Sequence, residues 1–576
     1  MAWFDEAVFY HIYPLGMLGA PKQNDYGEPV HRLRELLPWI SHIKSIGCNA
    51  IYIGPLFESV GHGYETTDYR KLDSRLGDNQ DLKDFVSECH AQGLRVIFDG
   101  VFNHTGRDFF AFKDLQANRE GSFGKDWYCN VNFWGNNSYN DGFSYENWGG
   151  YDLLVKLNQR NPAVRDYIAD VIRFWVSEFD VDGIRLDAAD VLDFDFMKML
   201  RQVADSVKPD FWLMGEVIHG EYSRWANEST LHSVTNYHLH KALYSGHNDH
   251  NYFEIAHTVR RLNDMGQSGS GLKLYNFVDN HDVERIHTKL ANKADFFPVH
   301  VLLYTLPGIP SLYYGSEFGI DGHKHRGGSD DDIRPHLKLE DFADALQTNP
   351  CTGIVSRLGK IRQAVPALSY GDYRELALTN RQYTFARSLD GNTVLVSVNN
   401  DDQDARISVG NLPDGTYIGA ISGETLQVQG GGASFCVKAH AGEIFIPAAL
   451  CEGRTGLDLE EMAKEAAEKA AAEKAAAEKA AAEKAEEKVD TEKAEAEKVA
   501  EDIQAESVAV EAKPAPTPDP AVQAARTDYE NMSIEELQAA ILGKMAKNGP
   551  VTDQMRRTVD ENIYRDSLLN WVRSFR

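Results

Sequence analysis

Cysteine is scarce in this chain, and the few cysteines are scattered. The six thiols lie at positions 48, 89, 129, 351, 436 and 451, so no CxxC pair occurs. This spacing argues against a clustered zinc site and against a disulfide framework. We therefore expect buried free thiols, as in proteins of a reducing compartment.

Basic residues and long hydrophobic runs are also in short supply. The chain has 59 Lys and Arg against 87 Asp and Glu, a formal net charge of −28 at pH 7. Such an acidic surface disfavours nucleic acid and anionic membranes as partners. No run reaches the roughly 20 apolar residues of a membrane span, and the first residues lack the basic and apolar regions of a signal peptide. We predict a cytoplasmic location.

The chain is long and rich in apolar residues. It is 576 residues long and 43% hydrophobic, so more than one domain is expected. Strand-like and helix-like patterns alternate up to about residue 365, for example a strand at 49–53, a helix at 81–92 and a strand at 94–98. This alternation predicts an α/β domain in which helices cover a parallel sheet.

Two changes of pattern mark further domains. The helix that opens at Asn161-Pro162 comes late, so residues 105–158 are too long for a βα loop and predict an excursion domain. After residue 368, short alternating strands with Asp-Gly turns predict an antiparallel β-sandwich. The predicted segments are the catalytic α/β domain at 1–104 and 159–368, the excursion at 105–158, the sandwich at 369–450, a linker at 451–520 and a small module at 521–576.

The last fifth of the chain has a different composition. Residues 463–488 contain only Ala, Glu and Lys, which are strong helix formers, with Glu and Lys at i,i+4 spacing. The stretch has no apolar stripe, so we predict a solvated helical linker that a Pro-rich segment at 513–520 ends. Beyond Ser533, apolar residues at helical spacing predict a small helical module. We expect it to dock a protein partner or a second copy; the alternative is a dispensable acidic tail.

Four short segments place charged residues directly after strand-like apolar runs. They are Asp99-Gly-Val-Phe-Asn-His104, Gly183-Ile-Arg-Leu-Asp187, Gly215-Glu216 and Phe277-Val-Asp-Asn-His-Asp282. The carboxyl ends of parallel strands meet at one face of a (β/α)8 barrel, where active sites form. In residue type, order and spacing the four segments resemble the α-amylase family, glycoside hydrolase family 13.

This resemblance covers about residues 3–450 and implies both a fold and a reaction. The fold is a (β/α)8 TIM barrel with an excursion domain after strand 3 and a C-terminal antiparallel β-sandwich. The reaction is retaining cleavage of an α-glucosidic bond, which needs two carboxyls about 5–5.5 Å apart. By family position Asp187 is the nucleophile, Glu216 is the acid/base, and Asp282 is the third carboxylate, which grips sugar hydroxyls.

The resemblance also assigns contacts to the sugar at subsite −1. His104 and His281 match the two family histidines that hydrogen-bond this sugar. Tyr64 matches the aromatic platform on which the C–H face of the sugar packs. A single histidine or aromatic residue is more often structural, so these assignments depend on the four segments occurring together.

Two further pairs of residues follow from the resemblance. Asp99 matches the residue that braces Arg185, whose guanidinium keeps Asp187 ionised. Asp330 and Arg334 match the pair that contacts the sugar at −2, with a solvated acidic loop as the alternative.

The chain also departs from typical α-amylases. The segment Leu153-Leu-Val-Lys-Leu-Asn158 looks like that of neopullulanases and cyclomaltodextrinases. Val191 stands where typical α-amylases place a calcium-binding histidine opposite the Asn that matches Asn103, and Val191 cannot ligate. We predict no metal and no cofactor. Trp134 and Trp148 of the excursion are candidate glucan platforms, with core packing as the equal alternative.

The sequence therefore predicts an intracellular retaining glycoside hydrolase that acts on maltodextrins and starch-derived glucans, with cyclodextrins as a further candidate substrate. One alternative is an α-1,6-glucosidase or a glucosyltransferase of the same family, which would share the catalytic residues. A non-catalytic glucan-binding scaffold is the third reading. It predicts loss of Asp187 or Glu216, and both are present.

Overall fold

The computed structural model describes residues 2–266, 272–325, 329–450, Ser533 and 537–542. The predicted linker lies outside the described residues, as does most of the predicted helical module. Within that module, 537–542 are helical, Leu537 and Ile541 are buried, and the Leu537 N–H donates to the Ser533 carbonyl at 3.0 Å. This i,i+4 pair of buried residues belongs to the apolar pattern that the sequence showed.

Eight parallel strands form a barrel, which confirms the predicted fold class. They are β1 (Phe9–Ile12), β2 (Ala50–Ile53), β3 (Arg95–Gly100), β4 (Gly183–Leu186), β5 (Trp212–Gly215), β6 (Ser233–Val234), β7 (Tyr275–Phe277) and β8 (Ile309–Tyr313). Their order is 6-5-4-3-2-1-8-7, and a parallel bridge between Thr235 and Tyr275 joins the two ends. Nearly every strand residue is buried, as expected for a parallel sheet with both faces covered.

The α-helices within residues 2–450 surround this barrel, except Phe110–Asn118, which lies in the excursion. They are α1 (Leu37–Ser45), α2 (Asn79–Ala91), α3 (Phe110–Asn118), α4 (Pro162–Phe179), α5 (Phe194–Val207), α6 (Tyr237–Asn248), α7 (Tyr252–Asp264), α8 (Phe296–Thr305) and α9 (Pro350–Ala364), with single turns at Pro14–Met17, Ile286–Lys289, Ala345–Thr348 and Pro366–Tyr370. Helix α4 begins as predicted, with the Asn161 side chain accepting from the Ala163 N–H at 2.8 Å and Pro162 at N1. One connection departs from the regular pattern, because only a 3₁₀ turn at Tyr222–Arg224 lies between β5 and β6.

The excursion leaves the barrel after β3 and returns at α4. It contains α3 and a three-stranded sheet in which Tyr151–Lys156 lies between His104–Thr105 and Asn147–Trp148. A separate hairpin, Phe57–Ser59 with Thr66–Leu72, follows β2. Both additions stand at the carboxyl end of the barrel strands, where the sequence placed the candidate site.

The C-terminal domain is antiparallel, as predicted. Its strands are β9 (Asp372–Leu378), β10 (Gln382–Leu389), β11 (Asn392–Asn399), β12 (Ala405–Val409), β13 (Gly415–Gly419), β14 (Thr425–Val428), β15 (Ala433–Val437) and β16 (Ala441–Pro447). Six strands form one sheet in the order 9-10-11-16-13-14, and β12 pairs with β15. Leu395, Tyr417 and Phe445 of the larger sheet share a buried cluster with Ile407 and Phe435 of the smaller one.

One expectation needs correction. The thiols were expected to be buried, which holds for Cys48 and Cys89, but Cys436 is exposed on β15, since its side of the strand faces solvent. All five described cysteines are free, and no helix among the described residues is long and apolar enough to cross a membrane.

Candidate active site

One buried guanidinium lies at the centre of the predicted site. Arg185 Nη1 donates to Asp99 Oδ1 at 2.9 Å and to Asp187 Oδ1 at 3.0 Å, and Nη2 pairs with Glu216 Oε2 at 2.9 Å. Strand alternation puts Arg185 and Asp187 on the same side of the backbone. The register pairs Arg185 with Asp99 of β3 and with Met214 of β5, so three neighbouring strands deliver the three carboxylates.

The two oxygens of Glu216 have different surroundings. Oε2 accepts from Arg185 and from the Ala188 N–H at 3.2 Å, which the left-handed backbone at Ala188 (φ 47°) directs at it. Oε1 accepts from the Tyr237 hydroxyl at 3.3 Å, and that hydroxyl accepts from Asn280 Nδ2 at 3.2 Å. Because Oε2 already accepts two donors, Oε1 is the oxygen on which Glu216 can carry a proton.

A wall of tyrosine and histidine side chains stands beside this cluster. The Tyr64 hydroxyl lies 3.1 Å from Asp99 Oδ2 and within hydrogen-bond distance of His281 Nε2, and the Tyr64 and His281 rings stack at 5.7 Å. The Tyr52 hydroxyl donates to Asp99 Oδ2 at 2.8 Å. His104 Nε2 donates to the Tyr64 carbonyl at 3.1 Å. The structure therefore brings Tyr64, Asp99, His104 and His281 into one connected group.

Asp282, after β7, is held by its own cations. Arg334 Nη2 donates to Asp282 Oδ1 at 2.8 Å and to Asp330 Oδ2 at 3.0 Å, while His281 Nε2 lies 3.1 Å from Asp282 Oδ2. Asp330 also pairs with Lys324 at 2.7 Å. The predicted pair Asp330 and Arg334 thus lies at the site, with Arg334 directly against the third carboxylate.

Comparison with known proteins identifies the family. The family described as "Alpha amylase, catalytic domain" matches residues 33–351. The cyclomaltodextrinase of Thermoanaerobacter pseudethanolicus is 31% identical over 428 residues, which cover 70% of this chain and 71% of that protein. The chain belongs to the α-amylase family. Neopullulanase 2 of Thermoactinomyces vulgaris is 29% identical over 471 residues, covering 77% of this chain and 78% of that protein.

Solved structures of the α-amylase family share the architecture. A cyclomaltodextrinase structure has a TM-score of 0.68 at 26% identity, with 77% of this chain and 78% of that chain covered. The Nostoc punctiforme debranching enzyme has a TM-score of 0.65 at 26% identity, with 77% and 98% covered. This protein is therefore a glycoside hydrolase of the α-amylase family.

Two of the family's three carboxylates, Asp187 and Asp282, have pKa values shifted in opposite directions. Burial raises the pKa of Asp187 well above its ordinary value; Arg185 opposes this, and the charges of Glu216, Asp99 and Asp282 add to it. Arg185 was expected to keep Asp187 ionised, and it does lower this pKa, but burial and the neighbouring carboxylates outweigh it.

Asp282 and His104 shift in the directions that their neighbours dictate. Burial alone would raise the pKa of Asp282, but His281, Arg334 and Arg185 outweigh it and hold that pKa well below its ordinary value. Asp282 is therefore favoured in its ionised form. Burial lowers the pKa of His104 to about 4, so its imidazole is neutral at pH 7.

Asn103, which the resemblance linked to a calcium ion, is held by protein contacts. Asn103 is fully buried, and its Oδ1 accepts from Gln159 Nε2 at 3.5 Å, while Gln159 Oε1 accepts from the Asp193 N–H at 2.6 Å. Val191 offers no ligand atom in its side chain, so the residues present do not fit that ion. Gln159 instead links the end of β3, the end of the excursion and the start of α5.

Outside the candidate site, one histidine and two aspartates lie close together near α2. His31, Asp78 and Asp81 bring ligand-type atoms within 4.8 Å of one another near α2. Asp78 caps α2, and Asp81 accepts hydrogen bonds from His31 and Arg34. Helix capping and ion pairing account for these three residues.

Sequence reasoning missed Tyr237, which contacts Glu216. Tyr237 follows β6, a strand of only two residues, so no apolar run marks its position. Asn280 lies inside the segment 277–282 that the sequence singled out, but its contact with Tyr237 depends on how the loops after β6 and β7 meet. Of the two tryptophans considered, Trp148 is half-buried, whereas Trp134 is 96% exposed, so core packing is the wrong reading for Trp134.

Proposed function

We propose that this protein hydrolyses α-glucosidic bonds of maltodextrins and starch-derived glucans with retention of configuration. The observation that carries the proposal is the pairing of Asp187 and Glu216 with the two terminal nitrogens of one guanidinium, Arg185. This arrangement supports two carboxyls on one sugar, a nucleophile and an acid/base, as retaining glycosidases require.

The proposed first step forms a glycosyl-enzyme. An Asp187 oxygen attacks the anomeric carbon, the bond to the leaving oxygen breaks, and Glu216 donates its proton to that oxygen. Arg185 fixes the direction of both carboxyls. The ionised Asp282, held by Arg334 and His281, would accept hydrogen bonds from sugar hydroxyls.

The proposed second step releases the sugar. Glu216, now ionised, takes a proton from water as the water oxygen attacks the anomeric carbon, and the ester bond to Asp187 breaks. The proton returns to Glu216 and the product has the starting configuration. With a sugar hydroxyl in place of water, the same residues would carry out glucosyl transfer.

Maltodextrins are the proposed substrate class, and cyclodextrins are a second candidate. Relatives named cyclomaltodextrinase, neopullulanase and maltogenic amylase support this choice at the level of α-glucans. A cytoplasmic location remains a prediction; one relative bears the name intracellular maltogenic amylase. Docking of a protein partner or second copy by residues 521–576 likewise remains a proposal.

A product profile tests this function. The purified full-length protein would be incubated with amylose, pullulan, γ-cyclodextrin, isomaltose and sucrose, and products separated by chromatography, with Asp187→Asn as the inactive control. We expect short maltooligosaccharides from amylose or cyclodextrin. Cleavage of isomaltose alone would favour the α-1,6-glucosidase reading. Oligosaccharides longer than the substrate, formed without release of free glucose, would favour glucosyl transfer.

A further inference from the structure

Exposed aromatic rings are concentrated on the excursion domain. Among the described residues, seven aromatic side chains are exposed, and five of them lie at 105–158. Two of those five, Phe110 and Phe123, stack on each other at 6.2 Å. The other three, Trp134, Tyr139 and Tyr151, are exposed by 96%, 50% and 68%. We call these three rings the excursion platform.

The backbone that carries Trp134 is fixed. Asn132 and Ser144 exchange backbone hydrogen bonds at 2.8 and 2.9 Å, and the Trp134 N–H donates to Asn132 Oδ1 at 3.0 Å. A Cβ on Gly135 would approach Ser144 Oγ to 2.2 Å, so glycine is needed where the two sides of this loop meet. The nearly bare indole is therefore presented by a rigid turn and does not belong to a loose end of chain.

Tyr139 and Tyr151 are presented in the same way. The Arg107 guanidinium lies 3.9 Å from the Tyr139 ring centroid and pairs with Asp141, which leaves the other face of that ring to solvent. The Ser138 N–H donates to Asp152 Oδ2 at 2.7 Å, which ties the Tyr139 loop to the strand beside Tyr151. The Ser138–Asp152 bond therefore holds the loop of Tyr139 against the strand that begins at Tyr151.

The chemistry of this surface favours a sugar over a protein. Its exposed large apolar side chains are all aromatic, whereas the exposed Leu, Ile and Val residues that the structure describes lie outside 105–158. The residues between the rings are small amides and hydroxyls, including Asn136, Ser138 and Asn140. Aromatic faces bind the C–H faces of pyranose rings, and amides serve their hydroxyls.

We propose that the excursion platform is a second α-glucan binding site, distinct from the catalytic centre, that holds a polymeric chain. This inference rests on the proposed function only for the choice of an α-glucan as the bound polymer. Each ring should contribute about twofold to tenfold in affinity, the range of aromatic packing energies. The platform would act on long chains and leave short substrates unaffected.

Affinity electrophoresis in gels containing amylopectin tests the proposal on the full-length protein. We expect Trp134→Ala to weaken retardation severalfold and the Trp134→Ala/Tyr151→Ala pair to weaken it about tenfold or more. Phe253→Ala, which removes a 45% exposed ring from α7, is the matched control and should migrate like the parent. Turnover of 4-nitrophenyl α-maltoside should be unchanged in all three variants.

Unchanged retardation of the double variant would overturn the proposal. Equal losses on amylopectin and on the small substrate would also overturn it, because the rings would then belong to the catalytic cleft. A change in molecular mass by light scattering without a change in retardation would make the rings a protein contact instead. Retardation that depends on the platform, in a protein that cleaves no glucan, would support this inference while the proposed function failed.

Discussion

At the scale of single residues, Arg185 has the largest set of consequences. It is buried, and three carboxylates surround it, so this cluster carries more negative than positive charge. Burial raises the pKa of Asp187, and this excess of negative charge adds to the rise. The arrangement favours catalysis at a cost in stability, a common trade at active sites.

Asp187→Asn should abolish turnover and raise the melting temperature. An amide cannot form the glycosyl ester, so kcat should fall by several orders of magnitude. The pKa of Asp187 is raised in the folded state, so its ionisation opposes folding as pH rises above the ordinary carboxyl range, and Asn removes that opposition. Calorimetry should show a rise of a few degrees at pH 7.

The control for this stability effect is pH. Below about pH 3, a unit under the ordinary Asp pKa, Asp187 is protonated in both the folded and unfolded states, so the difference in melting temperature should vanish. Asp84→Asn, on the exposed side of α2, should change neither activity nor melting temperature. Near-normal turnover of Asp187→Asn, together with an inactive Asp282→Asn variant, would contradict the assignment of the nucleophile.

Glu216→Gln should separate substrates by their leaving groups. A glutamine cannot protonate the glycosidic oxygen, so cleavage of maltotriose should slow by orders of magnitude, while an α-glucosyl fluoride, whose leaving group needs little protonation, should still form the glycosyl-enzyme. Pre-steady-state kinetics on both substrates measures the difference. Equal losses on the two would count against the acid/base role.

The sequence predicted the site residues that directly follow long strand-like runs, because the carboxyl ends of parallel strands converge whatever the loops do. It did not predict Tyr237, since β6 is two residues long, nor the ion pair between Arg334 and Asp282, which depends on how the loop after β8 folds back. Local pattern locates residues on strands, and contacts between loops require the tertiary structure.

At the scale of elements, the joint between barrel and excursion depends on Gln159. Its side chain is the partner of both the Asp193 N–H and the Asn103 amide, at the point where three elements meet. The start of α4 was predictable because its cap is local. The absence of a helix between β5 and β6 was not predictable, because a regular (β/α)8 barrel has a helix at that point.

Gln159→Ala should lower the free energy of unfolding by about 1–3 kcal/mol, the cost of leaving buried polar groups unpaired. Denaturant unfolding measures this, with Gln116→Ala as the control, because the Gln116 contact with Asp141 at 3.4 Å has no counterpart to the 2.6 Å bond between Gln159 and the Asp193 N–H. A chelator should leave the melting temperature of the parent protein unchanged. A large fall that calcium restored would show that an ion, and not Gln159, holds this joint.

At the scale of the whole molecule, the sandwich is bound to the barrel by buried polar contacts. Arg387 Nη1 donates to the Thr305 carbonyl at 2.7 Å, Asn400 Nδ2 donates to the His247 carbonyl at 3.1 Å, and His440 pairs with Asp295 at 2.9 Å. Residues 2–450 therefore form the unit on which catalysis should depend. The fold of this unit was predictable from alternation of pattern; most of the tail lies outside the described residues.

Truncation after residue 455 should leave kcat/KM on maltotriose unchanged and should alter oligomeric state or bound partners. Truncation after residue 368 is the contrasting variant, and it should give aggregated protein, because the Thr305 and His247 carbonyls and Asp295 would lose buried partners. Activity assays and light scattering compare the two. Collapse of activity in the longer fragment would show that the tail belongs to the catalytic fold.

The central claim is that Asp187 forms a covalent bond with the sugar, and trapping that bond tests it most directly. The full-length protein would be inactivated with 5-fluoro-α-glucosyl fluoride, digested with trypsin and analysed by mass spectrometry. We predict the fluoroglucosyl mass on peptide 186–198, with Asp187 as the modified residue and no label in Asp187→Asn. A label on peptide 274–285, which contains Asp282, or steady turnover without any labelled peptide, would contradict the account.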